Sequence, residues 1–241
     1  MDTDESYDLT ILPVKQDHFG INIRRPVHEN LPDIQKGSNT LIVSSVRSGK
    51  SNLLVNLLLN SNFYKDAFDD VYIFSSTIHQ DQTSRKLEEA FPATTYDSFD
   101  EGKLLRILEH QQSYDDPEDR PAIALILDDL PPLKANSLFF QIASRYRHYG
   151  IGLLLYSVQN FKMVSPIVRN NATNLILGTL NSAQVAQIGE TFQDNIGDKE
   201  IFKKLHRQAV PERFNFMHAH LDRYPAEVFQ NFDKMIYKAD F

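Results

Sequence analysis

The chain has 241 residues, of which 41% are hydrophobic and 24% are charged, the composition of a globular domain large enough to bury a core. Its net charge of −7 argues against a surface that wraps nucleic acid on all sides, although a local basic rim is compatible with it. The absence of cysteine excludes disulfides and thiolate metal sites and is typical of a reducing compartment. The longest apolar runs are too short to cross a bilayer, and the acidic opening MDTDESYD predicts no signal peptide.

The first part of the chain, residues 1–36, is predicted to be a tail with a hairpin over 9–25, where apolar and polar residues alternate. From 37 to 241 we expect one domain. Short β-rich runs predict strands at 40–45, 70–76, 122–129, 151–159 and 174–180. Helical spacing predicts helices at 51–63, 83–91, 101–113, 135–148, 161–171 and 181–192. Strands without polar alternation are buried on both faces, so we expect an α/β fold with a mainly parallel central sheet flanked by helices.

Two further regions depart from this alternation of strands and helices. The polar stretch YDDPEDRP at 114–121 predicts a loop. After residue 197 the pattern predicts a helix near 198–208 and then an alternating strand over 213–221, which we expect to be antiparallel and to lie at an edge of the sheet.

A phosphate-binding loop is predicted between the first strand and the first helix. The pattern G-x-x-x-x-G-K-[ST] binds phosphates through backbone N–H groups and the lysine, and its hydroxyl ligates Mg²⁺. Here Ser44 replaces the first glycine, which puts the geometry of the loop's entry in doubt because serine is less free than glycine at unusual φ. The alternative is an ordinary turn with a solvated lysine. The residues expected to bind nucleotide are Ser44, Ser45, Val46, Arg47, Ser48, Gly49, Lys50, Ser51 and Asn52, with Ser51 also a metal ligand.

An acidic pair follows the apolar strand that ends in LILDD. The ligand crevice of an open α/β sheet lies at the carboxyl ends of its strands, where these carboxylates are expected. Asp128 is predicted to hold Mg²⁺ through its water shell, and Asp129 to orient and deprotonate an attacking water. The alternative, two acidic residues that cap a strand before Pro131 and Pro132, is favoured only if the phosphate loop is ignored.

A sensor residue is predicted at the end of the strand that follows the acidic pair. Gln159 lies where its amide can touch both a γ-phosphate and the attacking water, although a polar strand end that meets solvent is the alternative. The strand inserted between the acidic pair and the next helix marks the additional-strand, RecA-like class of P-loop NTPases, known as ASCE.

Four segments together resemble one family: the phosphate loop, LILDD, RYRHYGIGLLLYSVQ and IVRNNATNLIL. Their order and spacing over 38–222 are similar to those of the FtsK–HerA superfamily, and most similar to its compact genome-packaging ATPases, the poxvirus-type branch found in large eukaryotic DNA viruses and virophages. The resemblance implies that 37–241 is a P-loop ATPase domain that hydrolyses ATP with Mg²⁺. It also implies a motor that moves double-stranded DNA, without regard to sequence, into a preformed capsid.

The same resemblance implies partners and one further catalytic group. Subunits are expected to form a ring, a pentamer or a hexamer, that contacts capsid vertex proteins, in the virion or in the cytoplasmic viral factory of the host cell. A neighbouring subunit is expected to supply an arginine that stabilises charge on the transferred phosphoryl group. Arg147 matches the family position best, Arg145 lies two residues away, and Arg169 is the competitor. Each arginine is alternatively an exposed surface residue.

Other functions remain open on the sequence alone. A conjugative or plasmid-transfer ATPase of the same superfamily is one alternative, and a small-molecule or nucleotide kinase is another. A P-loop scaffold of virion assembly that hydrolyses nothing is a third, and the serine at position 44 keeps it open. The sequence does not locate the site of the nucleobase.

Overall fold

The computed structural model describes residues 20–80, 82–134 and 137–239 of the chain. Its strands are β1 Ser38–Val43, β2 Asp70–Ser75, β3 Thr95–Tyr96, β4 Ile123–Asp128, β5 Ile151–Val158, β6 Asn174–Leu177, β7 Met217–His220, β8 Glu227–Gln230 and β9 Lys234–Lys238. Its helices are α1 Lys50–Leu59, α2 Gln82–Ala90, α3 Glu101–Gln112, α4 Leu138–Ala143, α5 Pro166–Asn170, α6 Ser182–Thr191, α7 Gln193–Ile196 and α8 Lys199–Ala209. The predicted α/β fold is confirmed.

All described strands join one nine-stranded sheet in the order β3-β2-β4-β5-β1-β6-β7-β8-β9. The first six strands in this order run parallel to one another, and β1 lies between β5 and β6. The last three strands run antiparallel to their neighbours. Strands β1, β4, β5 and β6 are buried along their whole length, which is why their sequences lack polar alternation.

Apolar side chains pack on both faces of this sheet. One face buries α3, α4, α6 and α8, and the other buries α1 and α2. Residues 20–36 belong to the second layer, because Ile21, Leu31 and Ile34 are buried there. Among the described residues, no helix combines the length and the apolar character needed to cross a membrane.

Uncharged polar side chains tie the amino ends of β1 and β6 to each other and to β7, which runs antiparallel to them. Asn39 is fully buried, and its amide nitrogen donates to the backbone oxygen of Asn171 at 2.9 Å. The amide of Asn174 donates to the hydroxyl of Ser38 at 3.1 Å, while its oxygen is hydrogen-bonded to Nε2 of His218 at 2.9 Å. These bonds fix how the strands meet at the amino edge of the sheet.

Several predicted elements differ from the structure. The helix predicted over 161–171 is instead a 3₁₀ turn, Phe161–Met163, followed by α5, because Ser165 caps a new helix and Pro166 occupies its first turn. The helix predicted over 135–148 is α4 and a 3₁₀ turn, Tyr146–Tyr149, while residues 135 and 136 lie outside the described part. A 3₁₀ turn, Pro117–Asp119, lies within the loop predicted at 114–121.

The two ends of the chain also differ from the predictions. The hairpin predicted over 9–25 lies outside the described residues as far as residue 19, and residues 20–25 form no strand. The strand predicted over 213–221 is the antiparallel β7, but its predicted place at the edge is wrong. Strands β8 and β9 extend the sheet beyond β7. The sequence did not predict β9, because all of its residues are exposed or only partly buried and so leave no apolar pattern.

Candidate active site

The loop between β1 and α1 is the one in which the sequence predicts phosphate binding, and its backbone includes left-handed residues. Two of its residues are left-handed, Arg47 with φ 59° and Gly49 with φ 96°. Ser44 is not among the residues with positive φ, and its N–H donates to the carbonyl of Val158 at 3.1 Å, which continues the pairing of β1 with β5. The backbone at position 44 therefore does not require a glycine, and serine fits the start of the loop without an unusual φ.

Room for the Ser44 side chain comes from a glycine on the neighbouring strand end. A Cβ atom placed on Gly178 would lie 2.0 Å from Oγ and 3.0 Å from Cβ of Ser44, far inside normal contact. The Ser44 hydroxyl donates to the Ser48 hydroxyl at 2.5 Å, and the Ser48 hydroxyl in turn bonds the backbone oxygen of Ser45. The side chain of Ser44 is thus hydrogen-bonded within its own loop. It occupies space that is open because Gly178 has no side chain.

Lys50 begins α1 and lies at the centre of the site, with 8% of its surface exposed. Its ammonium donates to the carbonyl of Ser44 at 3.2 Å and forms an ion pair with Oδ2 of Asp129 at 3.3 Å. An ammonium has three donors, so these two contacts leave one for a phosphate oxygen. The amino end of α1 adds the partial positive charge of its free N–H groups.

The acidic pair lies at the carboxyl end of β4. Asp128 is 4% exposed and accepts a hydrogen bond from the Ser75 hydroxyl at 3.0 Å. Burial, and next the charge of Asp129, raise the pKa of Asp128 to about 6, although the Ser75 hydroxyl and the Lys50 ammonium oppose the rise. Asp128 is therefore a carboxylate whose negative charge is poorly compensated by the protein.

Asp129 adopts a left-handed backbone with φ 46°, which turns its carboxylate toward Lys50. Two hydrogen bonds hold this conformation: its N–H donates to the carbonyl of Ser157 at 3.0 Å, and its carbonyl accepts from the Ser76 hydroxyl. Aspartate is among the residues that tolerate this region of φ. Strained backbone that the surroundings enforce is common at functional sites.

Gln159 contacts the same carboxylate from the end of β5. Its amide nitrogen donates to Oδ2 of Asp129 at 3.0 Å, the oxygen atom that also faces Lys50. Lys50 and Gln159, which are far apart in the sequence, therefore converge on one oxygen atom of Asp129. Hydrolysis of a phosphoanhydride needs a cation, a base and a polar group that orients water at one point, and the arrangement supplies all three.

The residues expected to hold Mg²⁺ offer the oxygen donors that this ion prefers. Ser51 directly follows Lys50 in α1, and Asp128 supplies a buried carboxylate without full charge compensation. Within the described ranges, no group of three or more His, Cys, Asp or Glu residues comes together. A magnesium ion at this place would therefore take most of its ligands from phosphate and water, as is usual for Mg²⁺.

The two candidate arginines have different surroundings. Arg147 precedes β5 and packs against Gly37, which precedes β1, so it lies at the amino edge of the sheet, opposite to Lys50. It is exposed, and its Nε donates to the Tyr146 hydroxyl at 3.2 Å. Arg169 stacks on the ring of Phe161 at 4.2 Å and donates to its carbonyl at 3.0 Å. Burial lowers the pKa of Arg169.

No local pattern predicted the contact between the phosphate loop and the segment before β7. The guanidinium of Arg213 donates twice to the carbonyl of Arg47, at 3.3 and 3.0 Å. The ring of Phe214 lies against Gly49, where an added Cβ would meet it at 2.8 Å. The prediction of a strand over 213–221 concealed this role, because both residues precede β7.

Several solved structures share this fold. The genome packaging NTPase B204 from Sulfolobus turreted icosahedral virus 2, in complex with AMP, is 16% identical, with a TM-score of 0.56 over 81% of this chain and 98% of that chain. Its complex with AMPPCP gives the same identity, TM-score and coverage. B204 described as the DNA-packaging ATPase from Sulfolobus Turreted Icosahedral Virus is 16% identical, with a TM-score of 0.54 over 80% of this chain and 96% of that chain.

At this level of identity the likeness establishes the fold, and the P-loop ATPase fold predicted from the motifs is confirmed. It also agrees with the resemblance to packaging ATPases that the four segments indicated. No family model matches the chain, and no curated protein matches it.

Proposed function

We propose that this chain is a Mg²⁺-dependent ATPase that drives double-stranded DNA into a viral capsid. The observation that carries the proposal is the convergence of Lys50 and Gln159 on Oδ2 of Asp129, at 3.3 and 3.0 Å. The fold it shares with structures titled as genome-packaging NTPases supports the choice of DNA packaging among the possible uses of such a site.

The proposed chemistry assigns one step to each residue. Lys50 binds the β- and γ-phosphates, and its ammonium neutralises charge that develops on the transferred phosphoryl group. As Lys50 turns to the phosphates, the carboxylate of Asp129 becomes free to accept a proton from the attacking water. Gln159 orients that water and contacts the γ-phosphate. Mg²⁺, held by Ser51 and, through water, by Asp128, would supply electrostatic stabilisation of the phosphate oxygens.

The remaining loop residues bind phosphate mainly through their backbone. In the proposal, the N–H groups of residues 46–52 surround the phosphates, while the N–H of Ser45 is bonded to the carbonyl of Thr179 and the side chain of Ser44 is hydrogen-bonded within the loop. The scaffold alternative depended on Ser44, and its regular backbone withdraws the support for a degenerate loop. A kinase would instead need an acceptor pocket and would turn over little ATP without acceptor.

The proposed assembly is a homo-oligomeric ring, a pentamer or a hexamer, around the DNA. Residues 37–241 would form the ATPase domain, and residues 1–36 an N-terminal extension. Within its described part, 20–36, Ile21, Leu31 and Ile34 are buried against the domain. The ring would contact capsid vertex proteins and act in the virion or in a cytoplasmic viral factory. Arg147, on the edge of the sheet away from its own Lys50, would serve the neighbour's site, while Arg169 would position the loop that follows Gln159.

The proposal predicts ATP hydrolysis that needs magnesium, that linear duplex DNA stimulates, and that Lys50→Ala reduces by at least about a hundredfold. Phosphate release is measured with and without linear duplex DNA, and unfolding temperatures confirm that the variant is folded. Lys86→Ala is the matched control, since Lys86 is an exposed lysine on α2. Normal turnover by the Lys50→Ala variant would remove the site assignment. Magnesium-dependent turnover that ignores DNA would favour a different nucleotide-driven function.

A further inference from the structure

A cavity of about 390 Å³ opens beside the phosphate loop, between α1, the strands β1 and β6, and the turn from β8 to β9. Ser48, Gly49 and Lys50 form one end of it. Beyond them the lining includes aliphatic and amide side chains and four phenylalanines: Phe63, Phe214, Phe216 and Phe232. Its volume lies in the range of small-molecule sites, and an apolar lining with a few polar groups is typical of them. One cavity thus joins the loop expected to bind phosphates to an aromatic surface.

The aromatic surface is held in place by contacts among its own rings. Phe232 packs edge-on against Phe63 at 5.8 Å and against Phe216 at 4.9 Å between ring centroids. The N–H of Phe216 donates to the side chain of Asn231 at 3.2 Å, which ties the start of β7 to the turn before β9. This part of the cavity is therefore preformed and apolar.

Phe214 differs from the other three phenylalanines. Its side chain is 57% exposed, and its backbone is left-handed with φ 76°, an uncommon conformation for an aromatic residue. The guanidinium of Arg213 lies 4.8 Å from the centre of its ring, and the ring edge touches the loop at Gly49. A strained backbone that displays an apolar ring beside a phosphate site indicates a binding role.

Two polar groups on the cavity wall are free to recognise a ligand. The side-chain amides of Asn52 and Asn215 make no hydrogen bond to any described residue. Asn52 lies two residues after Lys50, in the first turn of α1, next to the loop proposed to bind phosphates. A carboxamide can both donate to and accept from the edge of a nucleobase.

A second cavity borders the opposite side of the loop and has a different character. Four cationic side chains line it, Arg47, Lys203, Arg207 and Arg213, and neither phenylalanine nor tyrosine does. Stacking of a base needs an aromatic or planar partner, whereas a cationic wall suits anions. The two cavities are therefore not equivalent candidates for a nucleobase.

We propose that the aromatic cavity holds the purine base and ribose of the nucleotide whose phosphates bind at Lys50, with the base stacked on Phe214. The inference rests on the proposed function, because it takes the nucleotide's phosphates from it. It adds the recognition of the base, to which the segment between α8 and β9 contributes Phe214 and Asn215 and α1 contributes Asn52.

The test compares two ligands that share their phosphates and differ in the base. Binding of ATP with Mg²⁺ is measured by calorimetry, and binding of inorganic tripolyphosphate with Mg²⁺ is measured the same way. Phe214→Asn removes the ring but keeps a residue that tolerates the left-handed backbone, and Phe214→Tyr keeps the ring. Leu105→Ala is the control for loss of an exposed apolar side chain, since Leu105 is 46% exposed on α3, away from the cavity.

Phe214→Asn is expected to weaken ATP binding roughly tenfold and to change tripolyphosphate binding less than about twofold, since a stacked base is lost and the phosphate contacts are not. Phe214→Tyr and Leu105→Ala are expected to leave both affinities within about twofold of those of the unaltered chain. Unchanged ATP affinity in Phe214→Asn overturns the inference. An equal loss for both ligands overturns it too, because Phe214 would then support the loop and not the base.

Lys50→Ala separates this inference from the function on which it rests. It is expected to weaken both ligands, since both present phosphates to the loop. If Lys50→Ala weakens both ligands while Phe214→Asn changes neither, the base site is wrong and the ATPase proposal stands. If Lys50→Ala changes neither ligand, the phosphate site itself is wrong, and both proposals fall.

Discussion

The two edges of the parallel sheet carry polar residues of opposite kinds. At the carboxyl edge, charged groups lie close together: Lys50 and Asp128 are buried, and the partly buried Asp129 has a left-handed backbone and pairs with Lys50. At the amino edge, the buried polar groups are uncharged, and residues such as Asn39 and Asn174 are hydrogen-bonded between strands. Burial of the charged groups at the carboxyl edge costs free energy of folding. The hydrogen bonds at the amino edge hold the strands together. Charged and uncharged polar groups are thus concentrated at opposite ends of the same strands.

Arg147 is the residue that could break this division, since it lies at the amino edge and is proposed to act in catalysis. Arg147→Ala and Asp129→Asn are each expected to reduce ATP turnover by at least about a hundredfold. Mixed in one assembly, the two variants are expected to recover part of the activity, because some interfaces then pair an intact arginine with an intact aspartate. Turnover is measured over a series of mixing ratios.

The exposed Arg145, two residues away, is the matched control, and Arg145→Ala is expected to turn over ATP normally. The same mixing with Arg169→Ala distinguishes the two candidates. Absence of recovery at every ratio, for Arg147 and for Arg169 alike, would contradict a site shared between subunits.

Gly178 tests how closely the carboxyl edge is packed around the phosphate loop. Gly178→Ala is expected to lower the free energy of unfolding by about 1–3 kcal/mol, because its Cβ would overlap the Ser44 side chain. In a Ser44→Gly background the same change should cost much less, since the overlapping atoms are gone. Denaturant unfolding of the four proteins gives the coupling between the two positions. Equal costs in both backgrounds would show that the two side chains do not compete for the space.

Asp128 allows a measurement of how much the buried charge of a proposed metal ligand lowers the free energy of unfolding. Its pKa of about 6 in the folded protein exceeds the ordinary value of 3.8, so the folded chain binds more protons than the unfolded chain between these pH values. Stability is therefore present below that window and lost as the pH rises through 6. Asp128→Asn removes the loss and should be more stable at pH 8 by up to about 3 kcal/mol, from a shift of roughly two pKa units.

The advantage of Asp128→Asn should shrink as the pH falls from 6 toward 4, and its magnesium-dependent turnover should be lost. Urea unfolding at pH 8 and pH 4.5 measures the difference, with the exposed Asp119→Asn as control. If Asp128→Asn is less stable than the unaltered chain at pH 8, the charge of Asp128 is better compensated than the structure indicates.

The sequence predicted the carboxyl edge well, because each of its features leaves a local pattern. Apolar runs mark strands buried on both faces, and Lys50, Asp129 and Gln159 each follow such a run or the turn after it. That these three would lie at one edge followed from parallel pairing alone. Their contact at a single oxygen atom did not, since it depends on the left-handed turn at Asp129.

Features that depend on distant pairs were not predictable from the chain's local patterns. Gly178 matters only because β6 places it against Ser44, more than a hundred residues earlier in the sequence. The alternation in RFNFMHAHL predicts a strand that includes Phe214. The strand begins only at Met217, and Phe214 lies against the phosphate loop. Strand β9 has no buried residue along its length, so hydrophobic periodicity could not reveal it.

The placement of Arg147 beside Gly37 constrains how copies of this chain can meet. A subunit that lends this arginine to another must turn its own strand beginnings toward that subunit's strand ends. Such a contact joins the amino edge of one sheet to the carboxyl edge of another, and copies that use it in one direction only share a heterologous interface. Copies added through the same contact either form a closed ring, when the last copy meets the first, or form an open filament. Closure, and with it the number of copies, is then set by the angle between neighbours and not by any residue of the catalytic centre.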